Sequence, residues 1–278
     1  MAARGERTTK NETAPKAMPG LIPPAWASPE RDEGGRSGRA SRPALSREAI
    51  VDAALRIVDS EGYDALSMRR VAQEFGTGAA SLYAYVSNRD ELEDLLVERV
   101  VGECLAPEPG DPETWQQRLK DCLMGSYDVL LSHRDVARVL VGRAPFGPKA
   151  LANVNAMLGL LREAGLPDRI VGFAPAMLGE YLTGAAIDEQ AWQMRYPEGP
   201  ESEKERWEQV ADYLRSLPPD RFRHVIDFAG HMTSGELSEE PYNRFELGLD
   251  ILIRGVASYR EDGRKDGTGG GTATGSAD

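Results

Sequence analysis

The spacing of apolar residues between about residues 44 and 261 is the feature that most limits how this chain can fold. Apolar side chains recur there at intervals of three and four residues, and no stretch keeps the alternation of a half-buried β-strand. The segment between Ser46 and Gly62 is an example, with one helical face formed by Ile50, Ala53, Ala54, Ile57 and Val58. The pattern predicts an all-α protein.

Composition divides the 278 residues into four parts. Both ends are rich in small or polar residues and have no sustained apolar period, so neither is expected to order alone. Prolines between positions 107 and 112 separate short helical segments from longer ones. We predict a disordered arm (1–43), a helix-turn-helix unit (44–90, here called the head), a larger helical domain (91–261, the body) and a disordered tail (262–278).

Motifs of common catalytic and metal sites are missing from the sequence. Cys104 and Cys122 are too far apart for a CxxC pair, and the three histidines have no HxxxH spacing. There is no GxSxG, no P-loop and no GxGxxG that follows a strand. We therefore predict no enzyme, no metal site and no cofactor.

Charge-free runs in the sequence are also short. They reach about a dozen residues, below the roughly 18 that span a bilayer, and prolines break the apolar stretch near the N-terminus. We expect no membrane span, no export signal and a cytoplasmic protein.

Two short helices separated by a glycine-containing turn are predicted within the head. The first follows Ser67 and stops at Gly76, and the second covers roughly residues 79–85. This arrangement is typical of a helix-turn-helix.

Residues 45–101 resemble the DNA-binding domain of TetR-family transcriptional repressors. The motifs that carry the resemblance are Gly62-Tyr63, Leu66-Ser67-Met68-Arg69-Arg70-Val71-Ala72, Gly76, Ser81-Leu82-Tyr83 and Asn88-Arg89. The resemblance implies a homodimer that binds a double-stranded DNA operator, with Tyr83 and Arg89 at phosphate-contacting positions and Arg69 within reach of a base.

The residue types of the second short helix suit DNA contact. Small side chains at its start allow its N-terminus to enter a major groove, and hydroxyls and cations beside it can bind phosphates. The predicted contact residues are Arg42, Ser67, Arg69, Arg70, Thr77, Gly78, Ala79, Ala80, Ser81, Tyr83, Tyr85 and Arg89. Two of them have alternatives: Arg70 can pair with Glu74 instead, and Tyr85 can pack in the core.

The net charge of −12 is unevenly distributed. Residues 36–89 carry eight basic and six acidic side chains, whereas residues 90–278 carry a net charge of −14. Part of the positive charge comes from Arg36, Arg39 and Arg42, which lie among glycines and serines before the first helix. They form either a minor-groove arm or a solvated linker, and the sequence favours neither.

From Trp115 to about Tyr259 the chain is similar to the C-terminal domain of tetracycline repressors. The similarity rests on residues 133–139, Leu182-Thr183-Gly184 and Phe245-Glu246-Leu247-Gly248-Leu249. It implies a ligand cavity and dimerisation through a four-helix bundle formed by helices near 168–195 and 240–260.

The polar, metal-ligating set of the tetracycline-binding relatives is replaced in this chain. An ungapped comparison puts Leu105, Cys122, Ser126, Leu140, Arg143 and Ala156 at those positions. We expect a more apolar effector and no magnesium. Candidate lining residues, for which core packing is the alternative, are Trp115, Leu123, Met124, Tyr127, Met157, Phe173, Met177 and Tyr181.

The sequence thus predicts a repressor that a small, largely apolar molecule releases from a palindromic operator. A DNA-binding regulator without such an effector, acting as an activator or constitutively, and a helical partner-binding protein remain the alternatives.

Overall fold

The computed structural model describes residues 45–143, 146–196, 203–232 and 244–266. These residues form α-helices and two short 3-10 turns, with no β-strand among them, so the all-α prediction is confirmed. In chain order the helices are α1 (Arg47–Glu61), α2 (Met68–Glu74), α3 (Ala79–Leu82), α4 (Arg89–Val101), α5 (Trp115–Ser132), α6 (Val136–Leu140), α7 (Pro148–Glu163), α8 (Asp168–Arg195), α9 (Glu203–Arg215), α10 (Pro219–Met232) and α11 (Arg244–Asp266).

Helices α1, α2 and α3 pack around one small core in the head. The hydroxyl of Ser46 accepts the N–H of Ala49, and that of Ser67 accepts the N–H of Arg70, each at 3.1 Å. These bonds cap α1 and α2, because the first N–H groups of a helix have no partner within it. Side chains that are almost fully buried fix the three helices together: Ile50, Ile57, Val58, Leu66 and Leu82.

Helix α3 is shorter than the segment 79–85 that the sequence predicts. It ends at Leu82, whose carbonyl accepts the N–H groups of both Tyr85 and Val86 at 2.9 Å. The backbone must then extend so that Asn88 can cap α4. A tight turn therefore replaces the last helical residues.

Helix α4 belongs to both the head and the body. Leu92 and Leu96 near its start are fully buried, and Asn88 caps it by accepting the N–H of Glu91 at 2.8 Å. Near its other end, the Glu98 carboxylate accepts the N–H of Lys149 at 2.7 Å, at the first turn of α7. The domain boundary predicted at residue 90 thus falls inside a continuous helix.

The body is built from α5, α7, α8 and α11. Its most deeply buried side chains come from all four helices: Leu119, Leu161, Leu178 and Leu249. Helices α9 and α10 lie against each other. Helix α11 continues to Asp266, past residue 262, where we place the start of the tail.

The outer face of α8 is apolar but exposed. Phe173, Met177 and Trp192 lie on it, and on the neighbouring α11 Leu247 and Ile251 are also exposed. By length and composition alone α8 could cross a membrane, with a mean hydropathy of 1.4 over its best window. The sequence gives no sign of this helix as a membrane span, because Glu180 interrupts its charge-free stretch. One such helix is weak evidence for a membrane, since long apolar helices of soluble proteins pass the same test.

We expect Leu82→Ala to lower the free energy of unfolding by about 2–5 kcal/mol, because it removes a fully buried side chain that holds α3. Urea denaturation at a fixed protein concentration measures the loss. Leu105→Ala is the matched control, since that side chain is 71% exposed. An equal loss in the two variants would contradict the assigned core.

Candidate nucleic-acid interface

The surface formed by α2, the following turn and the start of α3 is lined by small side chains. Ala80 and Ser81 are exposed, and a Cβ added at Gly78 would meet no atom within 4 Å. The hydroxyls of Thr77 and Ser81 are hydrogen-bonded to each other at 2.8 Å. A DNA groove could therefore approach this backbone closely.

The two tyrosines that follow α3 differ in exposure. Tyr83 is 47% exposed, whereas Tyr85 is half-buried against the core. Leu82, before the two tyrosines, and Val86, after them, are fully buried and hold this turn in place. The Tyr83 ring is thus accessible one residue after the end of α3, and Tyr85 has a packing role as well.

The adjacent arginines of α2 have different surroundings. Arg69 is exposed and makes no ion pair within the described part of the chain. Arg70 binds the carboxylates of Glu61 at 2.5 Å and Glu74 at 2.6 Å. Arg70 thus pairs with Glu74, as one of the two interpretations predicts, and Arg69 is the more available cation. The third group of cations, Arg36, Arg39 and Arg42, lies outside the described residues.

Arg89 lies at the start of α4, where a buried carboxylate holds it. Its Nε donates to Glu93 at 2.7 Å, and its guanidinium lies 5.3 Å from the centre of the Tyr63 ring. Glu93 is only 3% exposed and also accepts the Tyr63 hydroxyl at 3.0 Å and a short hydrogen bond from Arg143. Sequence periodicity did not reveal this cluster, because Glu93 and Arg143 are fifty residues apart.

Residues 133–143, here called the junction segment, attach the body to the head. Asp135, in the left-handed conformation with φ of 57°, accepts the N–H of Tyr63 at 3.2 Å. Gly62 allows this approach, because a Cβ there would lie 2.9 Å from the Asp135 carboxylate. Arg138 binds Asp64 at 3.0 Å. In the sequence this segment shows only a resemblance, whereas in the structure it contacts the head directly.

Arg143 and His133 complete the junction from its two ends. Arg143 binds Asp94 at 2.6 Å in addition to Glu93. His133 bridges Asp59 of α1 at 3.1 Å and Glu103, beyond α4, at 3.2 Å.

The predicted effector-lining residues divide into two groups. Six are buried or partly buried in the body: Trp115, Leu123, Met124, Tyr127, Met157 and Tyr181. Phe173 and Met177 are 65% and 53% exposed and lie apart from them on the outer face of α8. Residue type predicts that they line the effector site, but α8 is oriented so that Ala174 and Leu178 face inward instead.

Aromatic rings are stacked within the first group. The rings of Tyr127 and Phe245 have centroids 3.9 Å apart, and Tyr181 stacks on the same phenylalanine at 5.4 Å. Burial raises the pKa of Tyr127 to about 12, so its hydroxyl stays protonated at neutral pH. These residues form a flat, apolar wall with polar edges.

Cys104 and Cys122, distant in sequence, both interact with the hydroxyl of Ser126. Burial raises the pKa of both thiols, that of Cys122 to about 11. Cys122 also donates to the carbonyl of Leu105 at 3.0 Å. Burial outweighs the Ser126 hydrogen bond, which lowers both pKa values, and keeps the two thiols protonated at neutral pH.

The sequence matches known proteins over both domains. Residues 50–94 match the bacterial regulatory proteins of the tetR family, and residues 106–260 match the tetracyclin repressor-like C-terminal domain. The HTH-type transcriptional repressor DrrR1 of Streptomyces coeruleorubidus is 31% identical over 229 residues, which cover 81% of this chain and 82% of that protein.

Solved structures with the same fold include ActR from Streptomyces coelicolor. Apo ActR is 36% identical with a TM-score of 0.68, and the match covers 80% of this chain and 100% of that one. ActR in complex with actinorhodin is 39% identical with a TM-score of 0.66, covering 77% and 96%. These matches, together with the helix-turn-helix fold, define a regulator of transcription. The chain belongs to the tetR family.

His133, in the junction segment, makes the stability of the fold depend on pH. Burial alone would lower the pKa of His133, but its hydrogen bonds with Glu103 and Asp59 and their charges outweigh burial and raise it. A group whose pKa is raised by folding stabilises the folded state when it is protonated. This stabilisation is complete below the pKa of the unfolded state, about 6.5, and is lost as pH rises through the pKa of the folded state.

We therefore expect the stability difference between the wild type and His133→Gln to shrink as pH rises from about 6 to 8. Unfolding in urea at several pH values measures it. His224→Gln, on the exposed surface of α10, is the matched control. A difference that stays constant over this range would contradict the charged bridge.

Proposed function

We propose that this protein is a cytoplasmic repressor that binds a palindromic operator as a homodimer and is released by a small, largely apolar molecule. The observation that carries the proposal is the exposed surface of α2 and α3. There Ala80, Ser81 and Tyr83 point outward while Leu82 and Val86 anchor the backbone beneath them. Such a rigid, small-residue surface suits close contact with the major groove.

In this proposal the residues around α3 divide the work of DNA binding. The backbone and side chains from Thr77 to Ser81 face the base edges, and Arg69 reaches a base or phosphate. Tyr83 and Arg89 bind phosphates on either side. Ser67 caps α2 through its oxygen and keeps its hydroxyl hydrogen for a further bond.

The exposed apolar faces of α8 and α11 support the homodimer. A contiguous apolar surface of this kind is unusual on a monomer and typical of an interface. Gly172, Ala176 and Gly184 are exposed on the same face of α8 and would allow a second copy to pack closely. A two-fold dimer would place two heads on successive half-sites of a palindrome.

The aromatic wall of the body supports an apolar effector. ActR, whose structure contains actinorhodin, shares the fold at 39% identity. The stacked rings of Tyr127, Phe245 and Tyr181 would cover a flat molecule, and the protonated Tyr127 hydroxyl would donate one hydrogen bond to it. We infer that the effector shares this apolar, flat character, without requiring a metal ion.

A gel shift with DNA from upstream of the protein's own gene tests the proposal. We expect one specific complex whose affinity falls steeply with salt, and its release by some apolar polycyclic compounds but not by tetracycline with magnesium. A salt-dependent complex that no such compound releases would favour a regulator without an effector. No specific complex at any salt concentration would favour a partner-binding protein.

Tyr83→Phe should weaken operator binding about tenfold, because a hydrogen bond to a charged phosphate is lost. The slope of affinity against salt should not change, since no charge is removed. Tyr213→Phe, at a 65% exposed position on α9, should bind as the wild type does. Equal affinities of all three proteins would remove Tyr83 from the DNA contact set.

A further inference from the structure

Glu93 is the buried carboxylate to which two cations of different origin bind. Arg89, at the start of α4, lies in the proposed DNA-binding surface, and Arg143 lies in the junction segment of the body. Both donate to Glu93, whose side chain is only 4% exposed, while that of Arg89 is 44% exposed. The third partner is the hydroxyl of Tyr63, which donates a hydrogen bond to it.

A buried carboxylate must keep at least one positive partner. Leaving such a charge unpaired is strongly destabilising, because burial deprives it of water. With Arg143 in place, Arg89 can leave Glu93 for a DNA phosphate, since one cation and the Tyr63 hydroxyl still satisfy the carboxylate. Without Arg143, the departure of Arg89 would leave Glu93 with the hydroxyl alone.

We propose that Glu93 is a positioning residue that makes the availability of Arg89 to DNA depend on the position of Arg143. The idea rests on the proposed function and adds a route for its regulation. When an effector draws Arg143 away from Glu93, Arg89 must stay bound to this carboxylate. Each head then loses one contact with a DNA phosphate. Helix α4 does not have to move for this to happen.

The surrounding carboxylates provide a control for simple charge effects. Arg143 also binds Asp94 at 2.6 Å and Asp90 at 3.4 Å. Within the described residues, neither of these two forms an ion pair with Arg89. Neutralising Asp94 changes the charge of α4 as much as neutralising Glu93 does, but it releases no DNA-binding cation.

The first experiment measures operator affinity and its salt slope in the full-length protein. We expect Arg143→Gln to weaken binding about tenfold and to reduce the slope by about 0.9 per head. Glu93→Gln should restore both in the Arg143→Gln background, and alone it should bind at least as tightly as the wild type. Asp94→Asn in the Arg143→Gln background should restore neither.

Three results would overturn the inference: wild-type affinity in Arg143→Gln, equal rescue by Asp94→Asn and Glu93→Gln, or weaker binding in Glu93→Gln alone. The single Glu93→Gln variant keeps the test decisive if Arg143→Gln does not fold. A wild-type protein without a specific complex would instead overturn the proposed function.

A second measurement needs no DNA. Double-mutant cycles in urea, with Arg89→Gln and Glu93→Gln, give the coupling between these residues. We expect the coupling constant to be several-fold larger in the Arg143→Gln background, because the carboxylate then has one cation left. An unchanged or smaller coupling would overturn the inference whatever the protein does with DNA.

Discussion

The orientation of the head depends on the ionic contacts that the junction segment makes with it and with α4. The segment supplies the cations Arg138 and Arg143, and the carboxylates come from the 3-10 turn after α1 and from α4. Both arginines reach carboxylates on the other side of this boundary, so each ion pair links the segment to the head or to α4. The pair between Arg138 and Asp64 is exposed to water and breaks at little cost, whereas the buried Glu93 must keep a cation.

The sequence predicts local structure well and the junction poorly. The caps Ser46, Ser67 and Asn88 and the end of α1 at Gly62 are visible in sequence because each depends on neighbours within four residues. The binding of Arg143 to Glu93 joins residues fifty positions apart, and no periodicity encodes it. The sequence does show that residues 133–143 carry three arginines and that the start of α4 is acidic, so their charges are complementary.

Residue type alone was also a weak guide to the effector site. Phe173 and Met177 lie four residues apart, so they share one side of α8, and that side faces outward. Tyr127, by contrast, stacks on Phe245 inside the body. Which side of a long helix faces inward is decided by packing against α5, α7 and α11. The positions of the predicted DNA-contact residues in α2 and α3 are closer to what the sequence predicts, since these helices are short and held by a local core.

The charge of the described head bears on the arm. Residues 45–89 contain five arginines and six acidic side chains, and Arg47, Arg70 and Arg89 bind carboxylates. The net positive charge of residues 36–89 therefore comes from Arg36, Arg39 and Arg42. Residues 45–89 alone carry a net charge of −1, so any net positive charge at this end of the protein has to come from these three arginines.

Helix α8 connects the proposed dimer to the head. Its outer face carries the exposed apolar side chains, while Gln190 on its buried side donates to the carbonyls of Leu130 at 3.0 Å and His133 at 2.7 Å. His133 in turn binds Asp59 of α1. In a dimer formed through α8, the contacts from Gln190 to His133 and from His133 to Asp59 would join the interface to the head. They would thereby set the separation of the two heads. On the proposed function, a ligand beside α8 that shifted these few contacts would change the separation of the two heads on a palindrome.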